Sequence, residues 1–120
     1  VYKLAQLDDR PLLKLSDDKA TLPGVKQVWR NEEDDGTWVG DTVGLADEDL
    51  SGRPLLVKVM ENGRRLFDRD DVLDVARARA ADQLRRLPKA MRSLDPDAEP
   101  YPVNVSERLL DLRNELASQA

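Results

Sequence analysis

The hydrophobic pattern of this chain changes its period at Asp70-Asp71, and that change limits the folds open to it. Before it, short apolar runs are broken by turn signals. After it, apolar residues recur at three- and four-residue spacing. Strands first and helices afterwards describe an α+β arrangement, because a doubly wound parallel sheet needs the two types to alternate. In residues 1–67 the strand-like runs are Val1–Leu7, Leu12–Leu15, Val25–Arg30, Thr37–Val39, Asp41–Leu45 and Leu55–Met60. Asp8-Asp9-Arg10-Pro11 turns the first into the second, and Thr21-Leu22-Pro23-Gly24 has the Pro-Gly order of a type II turn. Asn31–Gly36 reads as an exposed loop, and Gly40 as a bulge or bend between two short strands. Asn62-Gly63 turns Leu55–Met60 into Arg64–Phe67 as a hairpin.

Residues 70–120 read as helical, with two or three helices. Val72, Val75, Ala76, Ala80, Leu84 and Leu87 share one face of the first helix, which Asp70 and Asp71 cap and Pro88 stops. A short second helix is expected from Pro88 through Leu94. Three prolines between Asp95 and Pro102 make an extended connection, and Ser106 caps a final helix carrying Leu109, Leu110, Leu112 and Leu116.

Composition narrows the chemistry. The chain has no histidine and no cysteine, so a Ser-His-Asp triad, a thiol nucleophile, an imidazole base and a thiolate metal site are all absent. The acidic runs Glu32–Asp35, Asp68–Asp71 and Asp95–Glu99 lack the ordered spacing of a calcium loop, and read as solvated turns and a helix start. No Gly-rich nucleotide loop occurs, and no run approaches the roughly 20 apolar residues of a membrane span. Nineteen Lys and Arg against twenty-four Asp and Glu leave a net charge of −5, which argues against nucleic acid as a partner. A soluble cytoplasmic protein is the expectation. A chain beginning at Val1 is what a fragment or a trimmed product would show.

Within this acidic chain the first thirty residues are the exception. Lys3, Arg10, Lys14, Lys19, Lys26 and Arg30 oppose four aspartates there, a net +2. A hairpin centred on Asp8-Asp9 sets Lys3 opposite Lys14 on one face, with Lys19 following from the adjoining loop. Directly opposed like charges are destabilising unless they are well solvated or meet an anion such as phosphate or pyrophosphate. Both outcomes fit the spacing, and a one-residue slip in register removes the pairing.

Val1–Leu4, the block Lys14–Arg30 (K-L-S-x-x-K-x-T-L-P-G-x-K-Q-V-x-R), Asp41–Ala46, Pro54–Gly63 and Pro100–Ser106 together resemble, in order, the C-terminal region of nicotinate phosphoribosyltransferase. The resemblance implies that residues 1–120 are the C-terminal domain of a larger enzyme that pairs an irregular α/β barrel with an α+β domain. It implies an enzyme joining nicotinate to 5-phosphoribosyl-1-pyrophosphate, giving nicotinate mononucleotide and pyrophosphate with ATP hydrolysis and Mg²⁺. The phosphorylated histidine of that family belongs to the barrel, so this chain alone is expected to be inactive, to hold no catalytic residue and to bind no cofactor. Its partners would be the remainder of the enzyme, a second subunit of a homodimer and the small-molecule substrate.

By resemblance to the nicotinamide-using relatives, Lys3 and Lys14 would reach the phosphates of phosphoribosyl pyrophosphate across the dimer interface. Lys19 matches a further basic position, and Val1 stands where those relatives have a phosphate-contacting serine. For Lys26 and Arg30 the expectation is strand-surface or domain-interface contacts. The alternative is a free-standing, non-catalytic binding or regulatory module descended from the same domain.

Overall fold

The computed structural model describes residues 3–15, 21–67, 72–95 and 97–119. Its centre is a four-stranded sheet around β3 (Lys26–Glu32) and β4 (Trp38–Leu45), which pair antiparallel from Lys26–Leu45 to Glu32–Trp38. The expected loop after Arg30 begins two residues later, because Asn31 and Glu32 still pair with β4. The two short strands expected around Gly40 are one continuous strand. The irregularity survives as a register shift: Asn31 faces Gly40 and Glu32 faces Trp38, leaving Val39 as the extra residue of a bulge.

Ahead of this sheet lies a hairpin of β1 (Gln6–Leu7) and β2 (Arg10–Pro11), turning through Asp8-Asp9 with Asp8 at φ 50°. At one edge of the main sheet, β5 (Arg53–Pro54) pairs with β3. The run Leu55–Met60, expected as a single strand, is divided between two partners. Leu55 donates its N–H to Val28 O at 2.8 Å, and the Gln27 amide then takes over as partner to both backbone groups of Leu56 (2.8 and 2.9 Å). Beyond Val57-Lys58 the chain pairs with itself as β6 (Met60–Glu61) and β7 (Arg64–Arg65). Asn62 and Gly63 lie at φ 49° and 75°, the two positive values that a type I′ hairpin turn requires.

α1 spans Val72–Arg85, and no residue in it is buried; its expected caps, Asp70 and Asp71, lie outside the described residues. The second helix expected after Pro88 is a single 3₁₀ turn, Ala90–Arg92. The half expected to be helical also contains a strand. β8 (Val103–Val105) runs parallel to β4 at the other edge of the main sheet, giving the order β5-β3-β4-β8. Ser106 ends β8 and caps α2 (Glu107–Ser118) by accepting from the Leu109 N–H at 3.2 Å. α2 packs on β4 and buries Leu109 completely. Pro23, Trp29, Trp38 and Leu109 make up most of the apolar interior of the described residues.

Candidate functional site

The lysine hairpin is built by local pairing and then fastened to a turn. Leu12 N–H donates to Ala5 O at 2.9 Å, which continues the register set by Gln6–Pro11 and Leu7–Arg10. The hairpin is therefore centred on Asp8-Asp9. Lys3 and Lys14 are both exposed, but the ladder does not extend to them among the described residues; the Lys14 N–H donates instead to Thr21 Oγ1 at 3.1 Å. Lys19 lies outside the described residues. Ala5 O also accepts the Gly24 N–H at 2.8 Å, so one carbonyl joins the hairpin to the Thr21–Gly24 turn. Gly24 sits at φ 75°, and a Cβ there would come within 2.9 Å of Leu45 Cδ2, so this turn requires glycine.

The two other cations left open by the sequence are used within the fold, not on a strand surface. Lys26 Nζ donates to the carbonyls of Leu22 (2.8 Å), Pro23 (3.4 Å) and Gly24 (2.6 Å), clamping the turn that holds the hairpin. Burial lowers the pKa of this ammonium below the ordinary lysine value. Arg30 makes a bidentate pair with Asp41, with Nε to Oδ1 at 2.8 Å and NH2 to Oδ2 at 2.7 Å, both side chains being only 12% exposed. Its guanidinium lies 3.6 Å from the centre of the Trp38 ring.

The Val39 bulge makes that arrangement possible. In a regular strand, residues 38 and 41 point to opposite faces; the extra residue brings Trp38 and Asp41 to the same side, where both meet Arg30. Tyr101 completes the cluster, donating its hydroxyl to Asp41 Oδ1 at 2.9 Å. The Trp38 Nε1–H is buried without a hydrogen-bond partner among the described residues.

The charge states of this cluster suit holding more than reacting. Burial favours the neutral form of Asp41, but the hydrogen bonds from Arg30 and Tyr101 outweigh it and hold the carboxyl below its ordinary value. Burial and the bond to Asp41 push Tyr101 up to about 12. Neither group changes protonation near neutral pH, so the cluster provides no general acid or base. The sequence reading missed both Asp41 and Tyr101. The Arg30–Asp41 pair follows from the β3–β4 register, whereas nothing local marks Tyr101 inside its proline-rich segment.

The family model described as the nicotinate phosphoribosyltransferase C-terminal domain matches residues 49–113. Over 109 residues the chain is 44% identical to nicotinate phosphoribosyltransferase pncB2 of Mycobacterium tuberculosis, in two strains, covering 91% of this chain and 23% of that protein. The crystal structure of human nicotinic acid phosphoribosyltransferase superposes with a TM-score of 0.74 at 28% identity, covering 98% of this chain and 26% of that one. The chain thus spans about a quarter of the length of these relatives.

Proposed function

Because the chain belongs to the nicotinate phosphoribosyltransferase C-terminal domain family, we propose that it is the C-terminal portion of an enzyme that joins nicotinate to 5-phosphoribosyl-1-pyrophosphate, releasing nicotinate mononucleotide and pyrophosphate. The observation that carries this reading is the 44% identity to pncB2 across nearly the whole chain. ATP hydrolysis, a homodimeric assembly and a cytoplasmic location belong to the same proposal. No helix among the described residues is long and apolar enough to cross a membrane.

In this reading the chain contributes charge and support, not a reacting group. Negative charge gathers on pyrophosphate as the bond to the ribose breaks. Ammonium groups placed beside it stabilise that charge without transferring a proton. Lys3 and Lys14 are the cations for this role, with Lys19 as a third, and their exposure leaves them free to meet a phosphate carried by another part of the enzyme. The Lys26 clamp and the shared Ala5 carbonyl hold the hairpin in place. Mg²⁺ and ATP belong to the proposal for the whole enzyme; among the described residues no group of three or more metal-ligating side chains gathers. No step through either is assigned to this chain.

Lys14→Ala in the full-length enzyme tests the role of the hairpin. Turnover with phosphoribosyl pyrophosphate is expected to fall by roughly a hundredfold, with the KM for nicotinate nearly unchanged. Unaltered kinetics would remove the hairpin from the reaction.

A further inference from the structure

Between the β6–β7 hairpin and α1 lies an open groove of about 580 Å³. Val57, Val59, Leu66, Phe67, Val72 and Val75 line it, and each is at least 38% exposed. A soluble monomer rarely leaves so many contiguous apolar side chains bare. α1 sharpens the point: it has 14 residues and buries none of them, although helices of that length are marginal in water until one face is packed.

The surface area indicates how large the missing cover is. The chain exposes 9780 Å², whereas a self-contained protein of 13.5 kDa exposes about 6,500 Å². Its radius of gyration of 17.2 Å likewise exceeds the value of about 14 Å for a compact chain of this length. A standard association covers about 800 Å² on each partner, roughly a quarter of the excess. A second copy seated on the groove by an ordinary interface would therefore leave most of the surplus bare. A larger body fits the surplus better, and the relatives have one, since their polypeptides are about four times as long as the matched segment.

We propose that the groove between the β6–β7 hairpin and α1 is the seat for another part of the same enzyme polypeptide, which fills it with apolar side chains and offers a carboxylate to Arg79 at its rim. This rests on the reading of the chain as one portion of a longer enzyme, and adds to it the surface by which the portion is held. The groove is separate from the lysine hairpin, which stays exposed for phosphate while α1 is covered.

Photo-crosslinking in the full-length enzyme tests the seat. A benzoylphenylalanine at position 59 or 75, on opposite walls of the groove, is expected to give a crosslinked product with the mass of one subunit, joined to a peptide from outside these 120 residues. A product with the mass of two subunits would identify a second copy as the occupant and overturn the proposal. Crosslinks confined to the 120 residues, or none, would overturn it as well. Hydrogen exchange on the unsubstituted enzyme gives a second reading that needs no variant. Amides of Val72–Arg85 should be protected, and exchange at the rate of an unfolded peptide would sink the idea. Turnover of nicotinate and phosphoribosyl pyrophosphate by the same preparation separates the two claims. An active enzyme with an empty groove refutes the seat alone. An inactive enzyme with crosslinks to its own polypeptide refutes the proposed reaction alone.

Discussion

α1 and α2 are helices of similar length, 14 and 12 residues, with contrasting surroundings. α2 begins on a serine cap, buries Leu109 completely and lies against β4. α1 buries nothing and faces the β6–β7 hairpin across an open groove. Their ion pairs differ in the same way. Arg30–Asp41, across the β3–β4 pair, is bidentate and largely buried, whereas Asp82 on α1 meets Arg85 and Arg86 with its side chain 44% exposed. Both helices carry an amphipathic pattern, but among the described residues only α2 is packed through it. Only the sheet and α2 provide the burial that makes a helix contribute to stability.

The contrast is broken most forcefully at Leu109. Leu109→Ala should cost about 3–5 kcal/mol, read as a lowered denaturation midpoint; a loss below about 1 kcal/mol would mean that α2 is no better packed than α1. Asp41→Asn comes next, at about 3 kcal/mol, because it leaves the Arg30 guanidinium with half of its bidentate partner gone. It should also change the pH profile of stability. A carboxyl held below its ordinary 3.8 contributes stability that is complete above that pH and is lost as pH falls through the folded pKa. Tyr101, raised from 10.0 to about 12, contributes stability that is complete below pH 10.0 and is lost as pH rises towards 12. Unfolding curves of Asp41→Asn should therefore be flatter at both extremes than those of the unsubstituted protein.

Ser106→Ala removes the α2 cap and the bond from Ser106 Oγ to Glu48 Oε2 at 2.9 Å, and should cost about 1 kcal/mol by chemical denaturation. The smallest effect belongs to the exposed region. Asp82→Asn deletes two ion pairs at once, yet should move stability by less than about 0.5 kcal/mol. A shift approaching that of Asp41→Asn would erase the distinction between the two regions.

What could be read from the sequence follows the reach of the forces involved. The Asn62-Gly63 turn, the Gly24 turn and the Ser106 cap are decided within a few residues, and each stands where the pattern places it. The centre of the lysine hairpin is legible for the same reason. Leu55–Met60 misleads because an apolar run states a preference for pairing without naming the partner; Val28 claims one end, at Leu55, and Leu66 the other, at Val59. β8 is invisible locally, since Val103–Val105 becomes a strand only through β4, sixty residues earlier. The Arg30–Asp41–Tyr101 cluster needs both a register shift and that distant segment, so no motif announces it. The apolar stripe of α1 is legible as one helical face, but nothing among the described residues covers it.

The parallel pairing of β8 with β4 has a consequence for the order in which the protein can be made. Tyr101, β8 and Leu109 are among the last parts of this sequence to leave the ribosome, yet they add the edge strand and the cover of the β3–β4 pair laid down by residues 26–45. Until they emerge, Asp41 and Trp38 belong to a hairpin with one side uncovered, while β6–β7 and α1 already present bare apolar surface. The half-made domain therefore keeps apolar surface exposed until Leu109 emerges, and slower translation through residues 46–100 would lengthen that exposure without speeding closure.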